Sequence, residues 1–189
     1  WLLPLILFNM IIVFYIIVLI FSVIIHEISH GYVALRLGDT TARDAGRLTL
    51  NPLRHLDPFG SVLLPLVLAL SSLPIIGWAK PVPYDPRFLK NPKQAAGLIA
   101  LAGPASNFLL AIIFAIFVRI LVAVGITTLP MANLFEFLNI IVITNIALAF
   151  FNLIPIPPLD GSGILFALLP RQFAQFENFL RRYGFFILI

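Results

Sequence analysis

The sequence contains no cysteine, which excludes a disulfide framework and any thiolate metal site; a bound metal would have to use His, Asp or Glu. Charge is scarce too. Asp, Glu, Lys and Arg make up 11% of the 189 residues, too few to cover a water-exposed surface. The net charge of +4 comes with no basic helix and no aromatic platform, so nucleic acid is not an expected partner. What the chain has in excess is apolar: 61% of residues are hydrophobic against about 45–50% in ordinary soluble domains, and the mean hydropathy is +1.07. The expected solvent is lipid and the expected class is a polytopic, all-α membrane protein.

A helix needs about 20 apolar residues to span a hydrocarbon core of about 30 Å. Residues 2–37, 95–125 and 133–155 meet that length. The first run has no basic stretch before it and no small-residue cleavage site, so it reads as a retained transmembrane helix and not as a cleaved signal. An opening on Trp1 instead of Met suggests a longer parent chain, and residues 171–189 read as a helix cut short. Residues 59–78 have the right length but contain Pro65, Ser71, Ser72, Pro74 and Gly77, which interrupt regular helix. The alternation around Arg47 to Leu50 suits a short β-hairpin.

Eleven of the twelve Lys and Arg residues fall in 36–54, 80–93 and 171–182, and 125–139 has none. The positive-inside rule puts those three basic stretches on the cytoplasmic side. Residues 36–54 and 80–93 can share a side only if 59–78 does not cross, so a re-entrant segment is expected there. Trp78 and Lys80 read as interfacial anchors, and the 18 Phe residues as lipid-facing or packing side chains.

At the end of the first helix stands His26-Glu27-Ile28-Ser29-His30. Histidines at i and i+4 lie one turn apart on one helical face, where both imidazoles can reach one zinc ion, and the intervening Glu can take a proton from an activated water. The alternative is a chance match. Each ionisable residue at the centre of a membrane helix costs about 2.5–3.5 kcal/mol, so three within five positions argue for a function. Catalytic zinc usually has three protein ligands and an open position. Among the remaining acids, Asp160 stands in an apolar, proline-broken stretch, Phe151-Asn-Leu-Ile-Pro-Ile-Pro-Pro-Leu-Asp-Gly161, where non-helical backbone can turn a carboxylate inward. The competing role for Asp160 is a helix cap.

Together these motifs resemble the site-2 proteases, a family of intramembrane zinc metalloproteases. The resemblance rests on His26-Glu-Ile-Ser-His30-Gly31 and on Asn152-Leu-Ile-Pro-Ile-Pro-Pro-Leu-Asp160-Gly161. It is reinforced by Asn51-Pro-Leu-Arg-His-Leu-Asp-Pro-Phe-Gly60, Gly77-Trp-Ala-Lys-Pro-Val-Pro83 and Ala102-Gly-Pro-Ala-Ser-Asn-Phe108. It implies that His26, His30 and Asp160 hold one Zn2+ per chain, that Glu27 is the general base, and that Asn152 holds substrate backbone or the developing oxyanion. The other role open to Asn152 is an interhelical hydrogen bond. The resemblance also implies one intramembrane protease domain over residues 1–189, in a minimal form, since 125–133 is too short for a PDZ insertion. The expected partners are a transmembrane protein substrate and the bilayer. The expected location is a prokaryotic cell membrane, with the active site towards the cytoplasm.

Asn107, beside Gly103 and Pro104, reads as part of a close helix crossing, and His55 as a local hydrogen-bonding residue near Asp57. Two other classes compete with the protease. A metal or ion transporter would use the same His and Asp residues, but it leaves Glu27 without a task and lacks the expected inverted repeats. A non-catalytic relative conflicts with the intact Glu27.

Overall fold

The computed structural model describes residues 2–71, 79–125 and 132–188. Among the described residues there are seven α-helices: α1 (Leu2–Arg36), α2 (Thr41–Asp44), α3 (Leu64–Leu70), α4 (Pro92–Ala123), α5 (Ala132–Asn152), α6 (Asp160–Leu168) and α7 (Ala174–Leu188). Single 3-10 turns lie at Pro52–Arg54, Pro86–Phe88 and Arg171–Phe173, and a wide π-helical stretch, Pro58–Leu63, runs into α3. There is no strand among the described residues. The segment expected as a hairpin is irregular instead, and its Arg47 side chain ties it to a distant stretch of chain by donating to Lys80 O and Pro81 O as well as to Arg54 O.

Among the described residues three helical stretches are long and apolar enough to cross a membrane, Met10–Arg36, Pro92–Ala123 and Asn133–Asn152. Their outward residues are large and bare, among them Ile16, Ile20, Leu109, Ile113, Phe117 and Phe150, as expected where lipid and not water is the solvent. With lipid as apolar as any side chain, helices associate through close packing and polar contacts. α4 is the hub, packing on α1, α5 and α6. Its buried stripe is built largely of small residues, Ala95, Gly97, Gly103 and Ala111, with Asn107 among them. At the α4–α6 crossing, a Cβ on Gly163 would lie 2.8 Å from Ala100 Cβ, and one on Gly97 would collide with Ala167.

α1 ends in a Schellman motif at Gly38, whose φ of +108° a side chain would disfavour. Gly38 N–H donates to Leu35 O and Asp39 N–H to Ala34 O. The turn delivers Asp39 into the interior, fully buried. There its carboxylate accepts from Thr41 N at 2.9 Å, opening α2, and from Asp85 N at 2.7 Å, binding the 79–91 segment to the end of α1.

α5 stops at Asn152, three residues short of the expected 155, because the residue before Pro155 disfavours helix. The chain then passes a cis Pro157–Pro158 bond and re-enters helix at Asp160. α7 packs its Gly184 against Pro157. Of the segment expected to be re-entrant, residues 72–78, Trp78 included, lie outside the described residues. Its described part is helical from Pro58 to Leu70. The chain returns where it left, since Lys80 N–H donates to His55 O at 2.9 Å. His55 itself is buried, with Nε2 bonded to Thr49 O at 2.7 Å.

Candidate metal centre and active site

His26 and His30 stand one turn apart on the last third of α1, their rings edge to face with centroids 4.7 Å apart. Asp160, the first residue of α6, meets them: its Oδ2 lies 2.9 Å from His26 Nε2 and 3.4 Å from His30 Nε2. One ligand atom from each of the three residues falls within 4.8 Å of the others. The approach of α4 makes room for this. A Cβ on Gly103 would lie 2.5 Å from His26 Cε1 and Nε2 and from His30 Nε2, so even alanine would fill the space between the rings. Gly161 is equally constrained, because a Cβ there would strike the Leu153 and Ile154 carbonyls.

The outer nitrogens of both rings are committed. His26 Nδ1 lies 2.6 Å from Asn107 Oδ1, and His30 Nδ1 lies 2.6 Å from Ile99 O. The proton placement follows from a chain of amides. Ile141 O can only accept, so the Asn145 atom 2.9 Å from it is Nδ2, which also donates to Ser22 Oγ at 3.0 Å. Asn145 Oδ1 then accepts from Asn107 Nδ2 at 2.8 Å, leaving Asn107 Oδ1 to accept from His26 Nδ1–H. Ile99 O imposes the same tautomer on His30. Both Nε2 atoms therefore present lone pairs to Asp160 Oδ2, which is buried and receives no hydrogen bond. Short of a second proton on a ring, only a cation satisfies three such acceptors, and two imidazoles with one carboxylate form a donor set suited to zinc. Outer partners of this kind are typically worth 10–100-fold in metal affinity.

Glu27 points elsewhere on α1. Its Oε2 accepts from Val82 N–H at 2.9 Å, leaving Oε1 without that bond. Val82 sits on the extended stretch that Arg47 and Asp39 hold against α1, and its side chain packs over Gly31, where an added Cβ would lie 2.9 Å from Val82 Cγ1. Asn152 is not drawn into the cluster. Its amide nitrogen donates to Leu148 O, one turn back in α5, at 2.9 Å.

Asn107 and Asn145 are both fully buried, and neither role was evident from the sequence, where Asn107 reads as packing. The available signal was the presence of amides inside apolar membrane helices, where polar groups are costly without partners. The bonds that join them to each other, to His26 and to Ser22 Oγ span 38 to 123 positions, out of reach of any local pattern.

The sequence model of peptidase family M50 matches residues 14–128 and 118–189. A protein of Bacillus subtilis (strain 168), provisionally named zinc metalloprotease YwhC, is 41% identical over 176 residues, covering 92% of this chain and 77% of that protein. A Mycolicibacterium smegmatis protein, provisionally named zinc metalloprotease Rip2, is 32% identical, covering 89% of this chain and 62% of the relative. Rip2 of Mycobacterium tuberculosis (strain Erdman) is 34% identical over 145 residues, and the chain spans about half that relative's length, 52%. No solved structure matches at a significant level. With the family match running from residue 14 to residue 189 in two overlapping segments, beside a relative 41% identical over 92% of the chain, this chain belongs to peptidase family M50.

Proposed function

We propose that the chain is an intramembrane zinc endopeptidase that hydrolyses peptide bonds of membrane-spanning protein substrates. The observation that carries this reading is the convergence of His26 Nε2, His30 Nε2 and Asp160 Oδ2, three acceptors with no donor among them, inside a membrane-embedded bundle. A zinc ion held by these three residues would lower the pKa of water towards neutrality and polarise the scissile carbonyl. Glu27, fixed through Oε2 by Val82 N–H, takes the proton of the attacking water on its other oxygen. It then gives that proton to the amine nitrogen as the C–N bond breaks and the new C–O bond is completed. This placement gives Glu27 a task that the transporter reading lacks. A groove of about 280 Å3 lined by Ile25, Ile28, Ser29, Tyr32, Leu48 and Leu50 runs beside the His26-to-His30 turn and offers an apolar bed for an unwound substrate segment. The direct test is to strip purified protein with a chelator and restore it with zinc. Cleavage of a transmembrane substrate should fall to background and return with about one zinc per chain; cleavage untouched by stripping would overturn the reading.

Asn152 is proposed to exchange its bond to Leu148 O for the oxyanion when substrate binds. Asn152→Ala should then lower turnover by up to about 10²-fold, the range for a single oxyanion donor, with metal content unchanged. Loss of expression without a specific turnover defect would instead give it a structural role.

The topology proposed with this function has residues 59–78 entering and leaving on the cytoplasmic side, α4 running outward and α5 back. Supporting it, Lys80 N–H reaches His55 O, so both ends of the segment lie at one level. A full crossing would leave Asp160 about 30 Å from His26. Single cysteines at positions 61 and 83 should react with a membrane-impermeant thiol reagent from the same face. Reaction from opposite faces would sink the re-entrant arrangement.

A further inference from the structure

Beside the Ala79–Asp85 stretch lies a cavity of about 400 Å3 whose lining includes Arg47, Arg54, Lys80, Leu53, Leu56 and Pro83. Its charge is unbalanced. Among the described residues no carboxylate forms an ion pair with Arg47, Arg54 or Lys80. Arg47 is 7% exposed, and its terminal nitrogens are spent on the carbonyls of Arg54, Lys80 and Pro81. Its Nε is buried without a partner. Burial pulls the guanidinium below its ordinary pKa, against the opposing field of Glu27. A guanidinium taken out of water with no carboxylate in contact is costly, so an anion drawn into the cavity would offset part of that cost.

The surroundings indicate what completes it. Leu53 is 74% exposed, and Leu50 and Leu56 are also exposed, an apolar fringe around a cationic cavity. The same loop packs beside a membrane span: Leu48, Thr49 and Leu50 line a groove with Ile25, Ile28 and Tyr32, which belong to the stretch Met10–Arg36. Basic groups next to apolar side chains at the end of a membrane span match the two halves of an anionic lipid, phosphate above and acyl chain below.

We propose that the Arg47, Arg54 and Lys80 cavity binds the phosphate headgroup of an anionic membrane phospholipid, whose acyl chains lie over Leu53 and Leu56. Free phosphate offers the same charge but gives the leucine fringe no role. Arg47 also clamps the carbonyls of Lys80 and Pro81, next to the Val82 amide that holds Glu27, so the headgroup sits behind the segment that positions the proposed base.

The test uses the full chain in phosphatidylcholine nanodiscs with or without phosphatidylglycerol, released for native mass spectrometry. Phosphatidylglycerol should be retained in preference to phosphatidylcholine. Each cation near a membrane surface is worth roughly fivefold, so Arg54→Ala with Lys80→Ala should weaken retention by about 30-fold. Both residues are exposed, and zinc content should stay unchanged in the pair. Arg171→Ala with Arg182→Ala removes equal charge elsewhere and should leave retention intact. Equal retention by the Arg54 and Lys80 double variant and the unmodified chain would overturn the proposal, as would an equal loss in the Arg171 and Arg182 control. Protection of the cavity by inorganic phosphate, with no gain from phosphatidylglycerol, would overturn the lipid assignment. Unchanged lipid retention with selective loss of cleavage of acidic substrates would move the cavity to the substrate and overturn it too.

Discussion

Glu27→Gln should keep its zinc and lose cleavage by about 10²–10⁴-fold, the range a positioned general base contributes. The substitution is nearly isosteric, and the amide oxygen of Gln can still accept from Val82 N–H, so the stretch that holds it stays in place. Only basicity is lost. Elemental analysis should therefore find the same metal in variant and parent, while a cleavage assay separates them. Glu27→Asp adds a control: it keeps the carboxylate but withdraws it by about one methylene from Val82, so intermediate activity is expected. Cleavage by Glu27→Gln within tenfold of the parent would remove Glu27 as the base and require another group to take the proton.

His26→Ala, His30→Ala and Asp160→Ala should each abolish proteolysis and lower bound metal from about one per chain to a small fraction, because a catalytic zinc site rarely holds with two protein ligands. Asp160 makes the sharpest case. Its Oδ2 contacts both Nε2 atoms, and among the described residues no further His, Asp or Glu joins these three in the cluster. A metal that binds only the folded state also stabilises it. Chelation should then lower the melting temperature of the parent and leave that of Asp160→Ala unmoved, which separates loss of a ligand from loss of fold. Full metal occupancy in Asp160→Ala would remove this residue from the ligand set.

The parts of this site that were legible in the sequence are those whose geometry is local. The spacing of His26 and His30 fixes a shared helical face by itself, and Pro155, Pro157 and Pro158 mark the backbone break from which Asp160 can turn inward. Apolar run lengths place the three long helices, with errors of a few residues where a proline decides the end. Arg47 was misread because alternating apolar residues resemble a strand, while a buried guanidinium that gathers three carbonyl groups leaves no trace in a local pattern. Gly103 was grouped with small packing residues. That it keeps space open between two imidazoles depends on how α1 crosses α4, which is tertiary information.

The Ser22, Asn107 and Asn145 chain also bears on how three apolar rods find a common height. Lipid solvates every level of such a rod almost equally, so greasy contacts alone would tolerate α1, α4 and α5 sliding past one another in steps of about 1.5 Å per residue. Hydrogen bonds between Ser22, Asn145, Asn107 and His26 permit one setting, much as a single buried asparagine fixes the register of a coiled coil. α5 then works as a ruler seven residues long from Asn145 to Asn152, and the rigid proline turn beyond it carries Asp160 to the depth of the two imidazoles. One residue inserted between Asn145 and Asn152 would lift and rotate that turn by about 100° while leaving His26, His30 and Asp160 in the sequence.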